Sequence, residues 1–133
     1  MKVLIVDGDW HFSQQVTAFL ESRAHLVVYE PHPRAAAERA RKWQPDLVIL
    51  SAELALRDDF IESLPGLKPR PAVLLTERVD RFDRAWRAWQ KGGDELLIKP
   101  VLGLGDLHAA IVTARENAVA GVRRRGRSAA IPA

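Results

Sequence analysis

The chain has 133 residues, 47% of them hydrophobic and 28% charged, with a formal net charge of +3 and no cysteine. That is the length of one domain, enough to bury a core unaided, and it excludes disulfide frameworks, thiolate metal sites and thiol catalysis. The charge is uneven: Arg115, Arg123, Arg124, Arg125 and Arg127 against Glu116 put +4 into the last 19 residues and leave about −1 for the remainder.

Val3 to Val6 is a continuous apolar run closed by Asp7-Gly8-Asp9, the pattern of a strand buried on both faces. Phe12, Val16, Phe19 and Leu20 then recur on one face of a helix, with Asp9 placed to cap it. His25 to Tyr29 predicts a second strand, and Pro31 and Pro33 punctuate the turn after it. Ala35, Ala36, Ala37, Ala40 and Trp43 predict a second helix, alanine-rich and so closely packed, with Trp43 in the core. Leu47 to Leu50 enters behind Pro45-Asp46 and stops at Ser51, a third strand. Asp58-Asp59 supply negative charge to the start of a short helix carrying Phe60, Ile61 and Leu64, which Pro65-Gly66 ends.

Ala72 to Leu75, closed by Thr76, is the fourth strand. Over 80–91 the spacing predicts a helix with Phe82, Trp86 and Trp89 on one stripe and Arg81, Arg84 and Arg87 off it. Gly92-Gly93 is expected to stop that helix through a left-handed terminus. Glu95 to Ile98, ending in Lys99-Pro100, is the fifth strand, and a last helix runs from near Gly105-Asp106 toward Val122. Residues 1–122 thus form the domain, and residues 123–133 read as a basic, disordered tail. No apolar run approaches the roughly 18 residues that span a bilayer, and Met1-Lys2 leads straight into a strand, so a cytoplasmic location is expected.

Strand and helix alternate five times. Right-handed crossovers make that an α/β fold, a doubly wound five-stranded parallel sheet, for which the flavodoxin-like order 2-1-3-4-5 puts the first and third strands at the switch point. The carboxyl ends of strands one, three, four and five then converge on one rim, bringing Asp7-Gly8-Asp9, Ser51, Thr76 and Lys99 together.

Those motifs carry a resemblance. VLIVDGD, PDLVILS, VLLT and GGDELLIKP, in this order and spacing, resemble the receiver domain of bacterial two-component response regulators, the CheY-like family, over residues 1–122. The resemblance implies a signalling module. It places the phosphoacceptor aspartate on Ser51 and the second acid of the metal-binding pair on Gly8, while the first acid is kept as Asp7, the hydroxyl as Thr76 and the lysine as Lys99, followed by Pro100. It also places the family's switch aromatic on Leu96, which has no polar-tipped ring to swing.

Both changes weigh against phosphoryl chemistry. Magnesium is usually held by one or two carboxylates with near-octahedral oxygens, and Gly8 and Ser51 supply neither charge. A serine hydroxyl is a poor nucleophile without a general base, and His11, His25, His32 and His108 are all expected to lie away from this rim. No metal, cofactor or enzymatic activity is therefore expected; Lys99 instead neutralises Asp7, with Ser51 and Thr76 hydrogen-bonding around them.

Function then falls to a constant surface. In the resembling family the fourth and fifth helices, here 80–91 and 105–122, form the partner or dimer face. Arg84, Trp86, Arg87 and Trp89 are its candidate residues, with Trp86 exposed and Trp89 in the core. Trp10 is a further candidate, at the rim, where it would cover the pocket. A phosphorylatable module using Asp9 or Glu53 is one alternative. Nucleic-acid binding through the arginine tail is another, less favoured because such a tail is more often a solvated linker; it would weaken steeply with salt.

Overall fold

The computed structural model describes residues 1–127, with side chains described through Gly121. Five parallel strands, β1 (Lys2–Val6), β2 (Leu26–Tyr29), β3 (Leu47–Ser51), β4 (Ala72–Arg78) and β5 (Glu95–Lys99), form one sheet in the order β2-β1-β3-β4-β5. Register follows from burial. Val3 pairs with Leu47, Leu47 with Ala72 and Ser51 with Thr76, so the two hydroxyl residues end their strands side by side.

Alternate residues along each central strand feed two separate cores, as a sheet covered on both faces requires. Val3, Ile5, Leu47, Ile49 and Leu74 pack against Phe12, Val16 and Phe19 of α1 (Trp10–Ser22) and Leu107, Ile111 and Ala114 of α6 (Leu104–Arg127). Leu4, Val6, Val48, Leu50, Val73 and Leu75 face Ala36 and Ala40 of α2 (Pro33–Trp43), Phe60 and Ile61 of α4 (Phe60–Ser63), and Ala88 of α5 (Phe82–Lys91). Small alanines at these positions let α2 and α5 sit close to the sheet.

Several expectations need correction. Between Ser51 and Asp58 lies a helix, α3 (Ala52–Arg57), where none was predicted; the Ser51 side chain begins it by accepting the Leu54 amide proton. Asp59 does stand at the amino terminus of α4, where its charge was expected, without a side-chain capping bond. The left-handed terminus is at Gln44, which ends α2 at φ 55° and ψ 64°. Gly92 ends α5 at φ 155° and ψ −168° and Gly93 follows at φ 109°, a backbone that side chains rarely adopt, and a Cβ on Gly93 would lie 2.7 Å from Leu75 Cδ1 and force that side chain to shift. Trp43 is only partly buried, with the Lys2 ammonium 5.6 Å from its ring centroid. Helix α6 continues past Val122 to Arg127, so the first five residues of the expected tail are helical; residues 128–133 lie outside the described residues.

Candidate functional site

Asp7, Ser51, Thr76 and Lys99 meet at the carboxyl edge of the sheet because each terminates or nearly terminates a buried strand. Asp7 is 2% exposed and fully engaged. Its Oδ2 accepts from Thr76 Oγ1 at 2.7 Å and from Lys99 Nζ at 2.8 Å, and its Oδ1 accepts the Asp9 amide at 2.9 Å. Tyr29 Oη donates to the Asp7 carbonyl at 2.9 Å and fixes the backbone from the neighbouring strand. A charge this buried persists only when paired and hydrogen-bonded, and Asp7 has both.

Lys99 Nζ also reaches Asp9 Oδ2 at 3.4 Å and lies 4.3 Å from the centroid of the Phe12 ring. Asp9 caps α1, its Oδ1 accepting the Phe12 amide at 3.1 Å, as the sequence predicts. Partial burial pushes the Asp9 carboxyl up, but the Phe12 amide, the Lys99 ammonium and His11 together outweigh it and hold its pKa below the usual value. His11 is thus at the rim, in the first turn of α1, and not away from it as expected. Its ring lies edge-on to Trp10, with centroids 5.5 Å apart.

Ser51 is buried, and its one side-chain hydrogen bond among the described residues is the cap to Leu54, at 3.2 Å. Its hydroxyl therefore serves α3, and the Asp7 carboxylate is held by Thr76, Lys99 and the Asp9 amide. Gly8 is exposed, and a Cβ added there would meet nothing within 4 Å. Among the described residues the carboxylates within 4.0 Å of Lys99 are those of Asp7 and Asp9, and its ammonium is bonded to both. That donor set does not fit magnesium, which would need to displace an ammonium already hydrogen-bonded to both. Beside Lys99 a cleft of about 470 Å³ opens, lined by Asp9, Arg78, Asp80, Lys99 and Pro100 among others. Trp10, expected to cover this pocket, is 58% exposed and does not line it.

Sequence reasoning missed one polar element of this edge. Glu77, next to Thr76, is 5% exposed and accepts from Arg84 Nε at 2.7 Å and Nη2 at 2.9 Å. Hydrogen bonding to Glu77 raises the Arg84 pKa against the opposing effect of burial, and Glu53 adds to the rise from 3.7 Å away. Arg84 is accordingly tied inward and is not part of a free surface. The aromatic stripe of α5 faces solvent in its place: Phe82, Trp86 and Trp89 are 59%, 55% and 38% exposed, which overturns the core assignment of Trp89. Arg87 is exposed beside them, 3.8 Å from Asp83. Leu96, at the switch position implied by resemblance, pairs in register with Leu75 and is partly buried against the α2–α5 core.

Comparison with solved structures decides the architecture. A response regulator receiver domain protein from Clostridium thermocellum superposes with a TM-score of 0.71 at 23% identity, over 86% of this chain and 94% of that one. The signal receiver domain of a response regulator from Bermanella marisrubri gives 0.68 at 21% identity, over 83% and 97%.

This chain has the response-regulator receiver fold.

The five-stranded order 2-1-3-4-5 is that of the receiver fold. A family of streptococcal redox sensors evolved from two-component response regulators shares it too, with a TM-score of 0.74 at 18% identity, over 92% of this chain and 54% of that one. In sequence the chain is similar to a protein-glutamate methylesterase/protein-glutamine glutaminase 2 of Rhodospirillum rubrum, 31% identical over 108 residues, 77% of this chain. The corresponding enzyme of Bordetella pertussis is 32% identical over 111 residues, 80% of this chain. The chain spans 30% and 32% of these relatives' lengths. No family model matches it. Among the described residues no helix is long and apolar enough to cross a membrane.

Proposed function

We propose that this receiver-fold chain is a signalling module of a two-component type pathway that works by contact with a protein partner and does not accept a phosphoryl group. The observation that carries the reading is the use of Ser51. By resemblance it stands where the phosphoacceptor would, yet its hydroxyl caps α3 through the Leu54 amide and, among the described residues, has no hydrogen-bonded base to activate it. The rim holds a closed set of bonds among Asp7, Thr76 and Lys99, and Gly8 adds no second metal-binding acid. The streptococcal redox sensors are a precedent for this fold carrying a different signal, although a chain without cysteine has no thiol to oxidise.

The partner surface that fits best is the solvent face of α5, where Phe82, Trp86 and Trp89 stand in a row beside Arg87. A protein partner or a second copy of the chain would bury these rings. The module is non-enzymatic in this reading. The test is direct: beryllofluoride with magnesium should leave tryptophan fluorescence unchanged, Trp10 being adjacent to Asp9 and exposed enough to report on the rim. Acetyl phosphate should add no mass. A hydroxylamine-labile increment of one phosphate, mapped to Asp9 or Glu53, would overturn the proposal.

A further inference from the structure

At the opposite, amino-terminal edge of the sheet, a second cleft of about 530 Å³ lies between the end of α1 and the middle of α6. Its apolar lining is Phe19 and Leu20 from α1 with Ile111 and Val112 from α6. Around these stand Arg23, His25, His108 and Arg115, with Glu116 as the one acid of the lining.

Among the described residues none of these four basic groups is in an ion pair, a condition that Arg34 and Arg39 share on the far side of the sheet, but here two guanidiniums meet over an apolar floor. Arg41, Arg57, Arg70, Arg78, Arg81, Arg84 and Arg87 each have a carboxylate oxygen within 4.0 Å. Among the described residues, Arg23, His25, His108 and Arg115 have none. Arg23 instead lies 4.7 Å from the centroid of the Phe19 ring, at the border between the charged and apolar parts of the cleft. His25 Nδ1 is 2.8 Å from the Met1 amino group, which places the ring between the chain's first residue and the arginines of the cleft. Two guanidiniums, Arg23 and Arg115, left without a carboxylate partner in one concave site raise its potential and attract an anion.

We propose that this cleft binds a small oxyanion carried on an apolar body, the charge received by Arg23, His25 and Arg115 and the body laid against Phe19, Leu20, Ile111 and Val112. Both halves of the site are needed for that class of ligand. A bare anion leaves the apolar lining wet, and a neutral hydrocarbon leaves the cations unanswered. The site is independent of the rim and of the α5 face.

His25 supplies the readout. Burial lowers its pKa first, followed by the Met1 ammonium, Arg115 and Arg23; from α6, His108 and Glu116 also line the cleft. A seated anion reverses part of the Coulombic depression and raises the midpoint. The imidazole titration of the full chain is followed by NMR in methanesulfonate, benzenesulfonate and chloride at matched ionic strength. Benzenesulfonate should raise the His25 midpoint saturably, by about one pH unit, and half-saturate at about a tenth of the methanesulfonate concentration, since only it carries a ring to bury. Arg115→Gln should weaken benzenesulfonate about tenfold, while Arg34→Gln, on the exposed side of α2, should leave it unchanged. The same unsaturating drift in all three salts, or an equal effect of the two arginine variants, would overturn the proposal. Equal affinity for the two sulfonates would overturn its apolar half.

Discussion

Arg84 grips Glu77 through two parallel hydrogen bonds of 2.7 and 2.9 Å, and so fastens α5 to β4 one residue beyond Thr76. Fork-shaped pairing of a guanidinium with a carboxylate is the strong form of the interaction, and here the carboxylate is almost fully buried. Removing the cation alone leaves Glu77 charged inside. Arg84→Met should therefore cost about 2–3 kcal/mol, somewhat below the range for a fully buried pair because Arg84 keeps 19% exposure. Adding Glu77→Gln should recover most of that loss, and urea unfolding of the two single variants and the double variant gives the coupling. If the losses add, the two residues do not act as a pair.

The same logic at the rim predicts a metal site that can be built. Aspartate is as good a helix cap as serine, so Ser51→Asp should keep α3 in place. Gly8→Asp has open space for its side chain. Together the two changes supply the charges that the present donor set lacks. Calorimetric titration should show magnesium binding by the double variant with a dissociation constant on the order of millimolar or below, and no heat with the natural chain. Magnesium binding by the natural chain would mean that Asp9 and Asp7 release Lys99 more easily than their geometry implies.

Much of this rim was legible in the sequence because strand ends are written in it. Four apolar runs stop at Asp7, Ser51, Thr76 and Lys99, and parallel connectivity brings those stops to one edge, while the pairing of Lys99 with Asp7 followed from the resemblance to receiver domains. Helix α3 was missed because Ser51 does two jobs, closing β3 and opening α3, and a reading by apolar periodicity ends at the first. Trp89 was misplaced for a different reason. A stripe of aromatics at helical spacing ordinarily marks the buried face, but in α5 that role belongs to Ala85 and Ala88, which are fully buried and let the helix approach Leu75 and Val73. The Glu77 and Arg84 pair spans seven residues across a strand-to-helix turn, a separation that no local spacing rule identifies.

Asp9 makes acid stability a test of the rim's electrostatics. Its folded pKa lies below the ordinary 3.8, so its contribution is present in full above the unfolded value and is lost as pH falls through the folded one. Asp9→Asn keeps a capping side chain but cannot answer Lys99. The natural chain should exceed the variant in stability at pH 6 by a fraction of a kcal/mol, about 0.5, as befits a half-exposed pair. That margin should close as pH drops below about 4. Paired urea titrations from pH 3 to 6 check this, and a margin that widens toward acid would contradict the assigned direction.

The exposed rings of α5 give the prediction that bears most on function. Trp86 is 55% exposed and no part of either core, so Trp86→Ala should change folding stability by no more than about 0.5 kcal/mol. Trp89, 38% exposed, sits nearer the helix's inner side, its ring 3.7 Å from where a Cβ on Gly93 would lie, and its removal should cost more. A folded Trp86→Ala chain thus isolates recognition from stability. Pulldown with the natural chain should capture a specific protein partner that the variant loses, and sedimentation equilibrium of both chains shows whether that partner is a second copy. Because aromatic anchors in the centre of an interface typically cost about 2 kcal/mol or more when truncated, the loss should be at least tenfold in affinity. A partner retained by Trp86→Ala at full affinity would take this helix out of the interface and turn attention to the cleft beside Lys99.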